Sequence, residues 1–336
     1  MRLILAILML GSFLFGGGQR PGAVFLMIWP GARPTAMAGA FTAIADDATT
    51  CYFNQAGLGF IDSTMVSLMH CNWLPGLQED MYYEYFGLLR PIKRGTIGLN
   101  VIYLTTGKTE VTNEQGQYLG TYTTFDVAAS VNYGVPLTRI LAAGVGFKFI
   151  YSYLVPDWVF IAMPELGIER GGTGATWAFD GGLLFKPFRP LALGLALQNL
   201  GANISYVSGG SSDPLPRTLR LGLRIDPVKT RIIRVTVASD IAKTLVGMFG
   251  DEDKEFIDQM GYELEEAWKS VALELSYFDD LISLRGGYFW DVEGARVGPT
   301  FGGGVKVARF SLDIAVDQYV YDFPTANRKF SLSYQF

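Results

Sequence analysis

The stretch Arg328-Lys329-Phe330-Ser331-Leu332-Ser333-Tyr334-Gln335-Phe336 alternates strictly between polar and apolar side chains. Successive side chains of a strand point to opposite faces. Phe330, Leu332, Tyr334 and Phe336 therefore share one face, and Lys329, Ser331, Ser333 and Gln335 share the other. This is a strand with one apolar and one wet side, ending on an aromatic. A bacterial membrane barrel can finish on such a strand, and so can a soluble β-sandwich. The rest of the chain decides between them.

The 336 residues are 49% hydrophobic and 14% aromatic, with 40 glycines and only 18% charged residues, yet no second long apolar run follows the N-terminus. A helical membrane protein needs several apolar stretches of roughly 18 residues or more. A transmembrane barrel hides its hydrophobicity in alternation, which raises the mean without long runs. Residues 1–18 read as a signal peptide: Arg2 is the basic start, Leu3 to Phe15 the apolar core, and Gly16, Gly17 and Gly18 the small residues for cleavage. Without Arg2 the 27 basic residues become 26 against 32 acidic, moving the formal charge from −5 to −6. That balance offers no basic footprint for nucleic acid. Cys51 and Cys71 are the only cysteines. After export they either pair or stay as two buried thiols. With the single His70 they do not make a metal site.

Alternation marks about fourteen strands, near 64–73, 83–91, 95–105, 121–135, 141–155, 177–186, 191–200, 218–226, 232–240, 270–278, 281–290, 299–308, 310–321 and 328–336. Most approach the nine to eleven residues, roughly, that a tilted membrane strand requires. Phe125, Val127, Val131 and Tyr133 oppose Thr124, Asp126, Ser130 and Asn132; Leu219, Leu221, Leu223 and Ile225 oppose Arg220, Gly222, Arg224 and Asp226. Charges on the minority face, such as Arg234, Glu274, Arg285 and Lys306, suit a lumen. Every second connection is tight, as at Pro91-Ile-Lys-Arg94, Pro136-Leu-Thr-Arg139 and Asp279-Asp280, and those between are mostly longer. Outer-membrane barrels have short periplasmic turns and longer external loops, and an even strand count places both ends on the periplasmic side. The fold expected is an all-β outer-membrane barrel of about fourteen antiparallel strands over 63–336.

Two segments fall outside that pattern. Residues 19–62 are too long and too apolar for an idle tail and read as a hatch folded into the barrel. The loop at about 241–269 carries many acidic residues among apolar ones at a spacing that suits one or two short amphipathic helices. It is either a solvated lid or an external docking surface. Leu245, Phe249, Asp251, Asp253, Phe256 and Met260 are the candidate contacts, helped by loops 157–174 and 205–216.

The hatch segment reads Pro30-Gly-Ala-Arg33, then Ala36-Met-Ala-Gly-Ala-Phe41, then Ala45-Asp-Asp-Ala48, then Asn54-Gln-Ala-Gly-Leu58. It resembles the start of the PorV/PorQ family, relatives of the FadL-type transporters, whose mature N-terminus runs PGAR, GMGGAF, ADDA, NPAGL. Pro30, Gly31, Arg33, Gly39, Asp46, Asp47, Asn54 and Gly57 carry the match. Later segments, including Leu193-Gly-Leu-Ala-Leu-Gln-Asn-Leu-Gly201 and Arg285-Gly-Gly-Tyr-Phe-Trp-Asp291, also look like that family in order, so the resemblance covers most of the mature chain. The acidic loop favours PorV over PorQ. The resemblance implies a place in the outer membrane and a role in type IX secretion. Cargo proteins with C-terminal sorting domains would be accepted from a large translocon barrel and handed to subunits of the surface-attachment complex. The partners implied are those proteins and outer-membrane lipid. A FadL-like transporter of hydrophobic small molecules is the alternative, and it predicts an apolar pocket between hatch and wall. A general porin ranks third. Ala36 and Ala38 stand where the family has glycine, and Gln55 where it has proline, so the hatch backbone is expected to differ there.

Catalysis, a cofactor and a metal are not expected. His70 is the only histidine, and no Gly-x-Ser-x-Gly elbow marks a nucleophile. Its simpler reading is a hydrogen-bonded histidine on the barrel wall or under the hatch. Gly107-Lys108-Thr109 resembles the end of a phosphate-binding loop, but Ile102 stands where that loop needs glycine. The triplet reads as the start of an external loop.

Overall fold

The computed structural model describes residues 20–163, 171–208, 210–247, 256–291, 296–317 and 326–336, with the backbone alone over 256–260. The proposed signal peptide lies outside these residues. Fourteen strands form a closed antiparallel barrel in which sequence neighbours pair and β1 closes on β14. They are β1 (Met65–Asn72), β2 (Tyr82–Pro91), β3 (Thr96–Thr112), β4 (Tyr118–Pro136), β5 (Leu141–Tyr153), β6 (Thr173–Phe188) and β7 (Leu191–Gly201). The second half comprises β8 (Thr218–Lys229), β9 (Ile233–Thr244), β10 (Trp268–Tyr277), β11 (Ile282–Asp291), β12 (Arg296–Val307), β13 (Phe310–Asp317) and β14 (Asn327–Gln335).

The alternation read from the sequence resolves into an outward apolar face and an inward polar one. On β14, Phe330 and Leu332 are exposed while Lys329 and Ser331 are buried. On β8, Leu221, Leu223 and Ile225 point out and Arg220 points in. A soluble barrel would reverse this, so the solvent of the outer face is lipid. Aromatic side chains mark both ends of that band. Tyr103, Phe125 and Tyr153 stack near one end of β3–β5, with ring centroids 6.0 and 5.4 Å apart. Phe310, Tyr334 and Phe336 meet at the other end.

Tight turns link β2–β3, β4–β5, β6–β7, β8–β9, β10–β11 and β12–β13, and the start of β1 and the end of β14 lie on their side. Two sequence boundaries are corrected. Strand β3 runs on to Thr112 and β4 begins at Tyr118, so Gly107, Lys108 and Thr109 are strand residues and not a loop. A register shift between Thr105 and Gly107, where Gly107 takes φ of 80°, lets the hairpin continue past the point at which alternation breaks.

The outward position of Leu223, at the middle of β8 and 37% exposed, yields a test. Leu223→Arg should cost about 2–4 kcal/mol in unfolding of the barrel from lipid vesicles, as for a cation near the bilayer midplane. A cost near zero would contradict the membrane-facing assignment.

Candidate functional site

The chain before β1 makes four short turns of helix: a 3-10 turn Val24–Met27, α1 (Ala32–Ala36), α2 (Thr50–Phe53) and a 3-10 stretch Gln55–Phe60. Local chemistry starts and stops each one. Gly31, at φ 88°, precedes α1, and Pro34 sits in its first turn. The Asp47 carboxylate accepts from Thr49 N and Oγ1 at 2.8 and 2.5 Å as the chain enters α2. The Asn54 side chain accepts from Ala56 N and caps the last stretch. None of these pieces is long enough to be stable alone. They are held by the wall.

All fourteen strands touch this segment, so it lies inside the barrel. Its backbone groups find partners on inward-facing side chains, as buried polar groups must. Asp240 accepts from Phe41 N, Thr42 N and Thr42 Oγ1. Arg220 donates to the Gly39 carbonyl at 2.8 Å and pairs with Asp240 at 3.2 Å. Lys329 Nζ donates to the Trp29 carbonyl, and Tyr83 and Tyr85 donate to the carbonyls of Ile28 and Ala48. Thr300 Oγ1 donates to the Ala36 carbonyl and accepts from Ala38 N. Ala32 N donates to Ser331 Oγ, and Gly31 N to Met69 Sδ. Asn54 Nδ2 bridges the carbonyls of Thr42 and Leu183. Gln198 donates to the Tyr52 carbonyl and Thr96 to that of Ile61.

Other strands contribute by close approach. A Cβ on Gly144 would stand 2.2–2.5 Å from backbone atoms of Gln55 and Ala56, and one on Gly134 would stand 2.5 Å from the Gln55 carbonyl oxygen. Gly182 and Gly194 face Asn54 and Thr42 in the same way, Gly287 faces Ala38, and Ala315 packs on Ala32 and Ala36. These strand glycines clear space for hatch backbone.

All eight motif residues lie in the hatch, and three of them, Arg33, Asp46 and Asp47, meet there. Arg33 lies over the Phe41 ring and binds Glu274 through two nitrogens at 2.8 and 3.0 Å. It also reaches Asp46 at 2.6 Å and Asp47 at 3.4 Å. Gly39, at φ 73°, leaves room for the Trp29 ring, and Gly57 for the Ala45 carbonyl. Pro30 is buried. The departures from the family pattern are absorbed locally. Ala38 takes φ of 51° with its N–H held by Thr300, and Gln55 donates its amide to the Cys51 carbonyl. Cys51 and Cys71 are separate buried free thiols.

The wall partners Asp240 and Lys329 were not singled out by sequence as hatch contacts; only their place on the polar face signalled them. Beneath the hatch, on the side of the tight turns, a cavity of about 220 Å³ is lined by Arg33, Asp46, Asp47, Arg234, Arg285 and Asp313 among others. It is polar. An apolar groove of about 480 Å³ runs instead on the outer wall along Leu68, Phe86, Val101, Phe330 and Leu332. His70 is also on the outer wall, half exposed, with Nδ1 2.6 Å from Glu84 Oε1.

On the opposite rim, α3 (Asp157–Ala162) and α4 (Phe256–Glu266) lie in the long connections. Lys243 pins α4 through Glu263 at 2.5 Å and Glu266 at 2.9 Å. Leu264, 58% exposed, and Tyr262 face solvent. Leu245 is only 6% exposed, and its N–H bonds the Arg217 carbonyl, so it braces the loop and offers no docking side chain. Phe249, Asp251 and Asp253 lie outside the described residues, as do the side chains of Phe256 and Met260.

A family model described as type IX secretion system protein PorV matches residues 20–250. No curated protein sequence matches the chain. The fold is similar to the toluene transporter TodX of P. putida, at 15% identity and a TM-score of 0.56 over 91% of this chain and 98% of that one. The toluene transporter TbuX of Ralstonia pickettii gives 13%, 0.56, 91% and 97%. A FadL homologue of Pseudomonas aeruginosa gives 12%, 0.51, 96% and 99%. At such identities the likeness concerns the fold alone.

Two measurements test the site. Gly144→Val should expel the hatch, seen as protease cleavage within residues 20–62 of a barrel that still resists denaturation by detergent. Gly181→Val, whose Cβ meets nothing closer than 4.0 Å, should leave the hatch protected; equal cleavage in both would contradict the packing. The two aspartates should also titrate apart. Burial pushes Asp47 above the ordinary value of 3.8. Burial acts on Asp46 too, but Arg33 and Arg224 outweigh it and hold that carboxyl below 3.8. As pH falls, Asp47 takes its proton first, a step that favours the folded state. The stability from Asp46 is present above 3.8 and is lost only as pH falls through its depressed value. Carboxyl ¹³C shifts would show this order, and the reverse order would refute it.

Proposed function

Because the chain belongs to the type IX secretion system PorV family, we propose that it is the outer-membrane component that receives secreted cargo with C-terminal sorting domains and passes it to the surface-attachment machinery. The observation that carries this reading is the fastened hatch. Polar contacts from around the wall hold a lumen that is filled, so useful contacts fall to the external rim. The proposed mechanism is binding without catalysis. The connection between β9 and β10 is the main docking surface, with helix α4 presenting Tyr262 and Leu264 beside acidic Glu265. Loops 157–174 and 205–216 flank it.

A second reading, transport of hydrophobic small molecules, draws on the fold shared with toluene transporters. The cavity at the hatch is lined by arginines and carboxylates, which supports protein binding over an apolar ligand.

Replacing residues 248–266 by a short Gly-Ser linker should lower the yield of secreted proteins that co-purify with the tagged barrel by about tenfold or more. Barrel folding is checked by its mobility on unheated gels. Undiminished yield from a folded barrel would sink this docking surface. Fatty acid or another apolar ligand in a barrel without protein partners would favour the transporter reading.

A further inference from the structure

Strands β3 and β4 rise above their neighbours. Strand β2 pairs with β3 only as far as Thr105, and β5 pairs with β4 only as far as Phe125. Above those points, Gly107–Thr112 and 118–124 pair with each other alone. The result is a two-stranded ribbon standing on the external rim. Its tip is tied by Asn113, whose side chain accepts from Gln115 N and Gln117 N at 3.1 and 2.8 Å. Its inner face is braced by α3. Trp158 lies where a Cβ on Gly120 would come within 2.8 Å, and its ring meets Tyr122 edge-on at 6.2 Å.

The two edges of the ribbon differ. An edge strand presents a row of unpaired N–H and C=O groups, and proteins ordinarily blunt it with charge, proline or a covering segment. The β3 edge is blunted: it carries Lys108 and Glu110, and Gln78 donates to the Lys108 carbonyl. The β4 edge reads Tyr118-Leu-Gly-Thr-Tyr-Thr-Thr124, without charge or proline. Among the described residues no backbone group of 118–124 bonds to any element but β3, where Thr124 O also accepts from Thr105 Oγ1 at 2.7 Å. Tyr118 is 62% exposed, and Leu119, Thr121 and Thr123 are exposed too. This sequence favours strand and does nothing to prevent pairing.

We infer that the β4 edge at 118–124 takes an extended, uncharged strand of a secreted partner protein, which joins the ribbon as a third strand. Main-chain hydrogen bonds supply the affinity. The choice of a secreted protein rests on the docking function proposed above; the preference for an uncharged strand rests on the edge itself.

The test uses the tagged full-length barrel purified from outer membranes, with co-purifying secreted proteins measured by mass spectrometry. Thr121→Lys/Thr123→Lys guards the edge with charge and should cut their yield by about tenfold. Thr121→Val/Thr123→Val keeps a β-branched, uncharged edge and should retain them. Hydrogen exchange of the wild-type complex should show the amides of 118–124 protected relative to the lone barrel. Full yield from the lysine pair, with loss on replacing 248–266, would overturn the edge inference and leave the docking function standing. Equal losses from the lysine and valine pairs would overturn it as well, because hydroxyl recognition would then explain binding. Secreted proteins absent from the wild-type barrel would remove the docking function and the inference together. Cross-links between two copies through Thr121→Cys would assign the edge to self-association and refute the inference.

Discussion

Everything in this structure depends on how an irregular stretch of backbone is housed inside a membrane barrel. Short helical turns leave most of their N–H and C=O groups unpaired. Such backbone persists at membrane depth only where protein or water satisfies it. Here protein does so. Asp240 takes three hydrogen bonds from Phe41 and Thr42, and Arg220 takes up the Gly39 carbonyl beside it. Arg33 runs the other way, from hatch to Glu274 on the wall. Charges that would line a water-filled channel in a porin serve as fasteners. Removing one member of such a buried pair strands the other, which makes the hatch and the barrel hard to separate energetically.

The same housing is steric. The hatch backbone approaches the wall so closely at Gly134, Gly144 and Gly194 that a methyl group there would overlap it. Small residues clear the space, and polar residues between them complete the hydrogen bonding. The hatch can therefore depart from the family pattern at single positions. Ala38 occupies a left-handed conformation that costs an L-residue about 1–2 kcal/mol. The Thr300 hydroxyl, bonded to both the Ala36 carbonyl and Ala38 N, holds it there.

With the lumen filled, the asymmetry of the barrel's ends becomes the functional question. Tight turns leave the periplasmic end low and polar around the Arg33 cavity. The other end is uneven, short at β1 and tall at the β3–β4 ribbon. Helices α3 and α4 sit on that rim, one bracing the ribbon and the other pinned by Lys243. A surface of differing heights with exposed Tyr118, Ile161, Tyr262 and Leu264 suits protein contact. The apolar groove along Leu68 and Phe330 faces lipid and lies apart from the hatch.

Strand count, strand faces and the alternation of short and long connections were legible in the chain, because a side-chain period of two records burial directly. The motif from Pro30 to Gly57 was legible as a unit for the same kind of reason: glycines, an asparagine cap and paired aspartates have local backbone uses. Strand ends were less so. The β3–β4 hairpin outruns the barrel because Gly107 carries a bulge, and the local sequence there, rich in glycine and threonine, reads equally well as a loop. The partners of the hatch motif were not legible at all. That Arg33 meets Glu274, that Asp240 holds Thr42, and that Leu245 turns inward are facts of barrel closure, which brings together residues up to three hundred positions apart. Sequence determined which residues of each strand share a face; only closure of the fourteenth strand on the first decided which face turns to lipid and which lumen group answers which hatch atom.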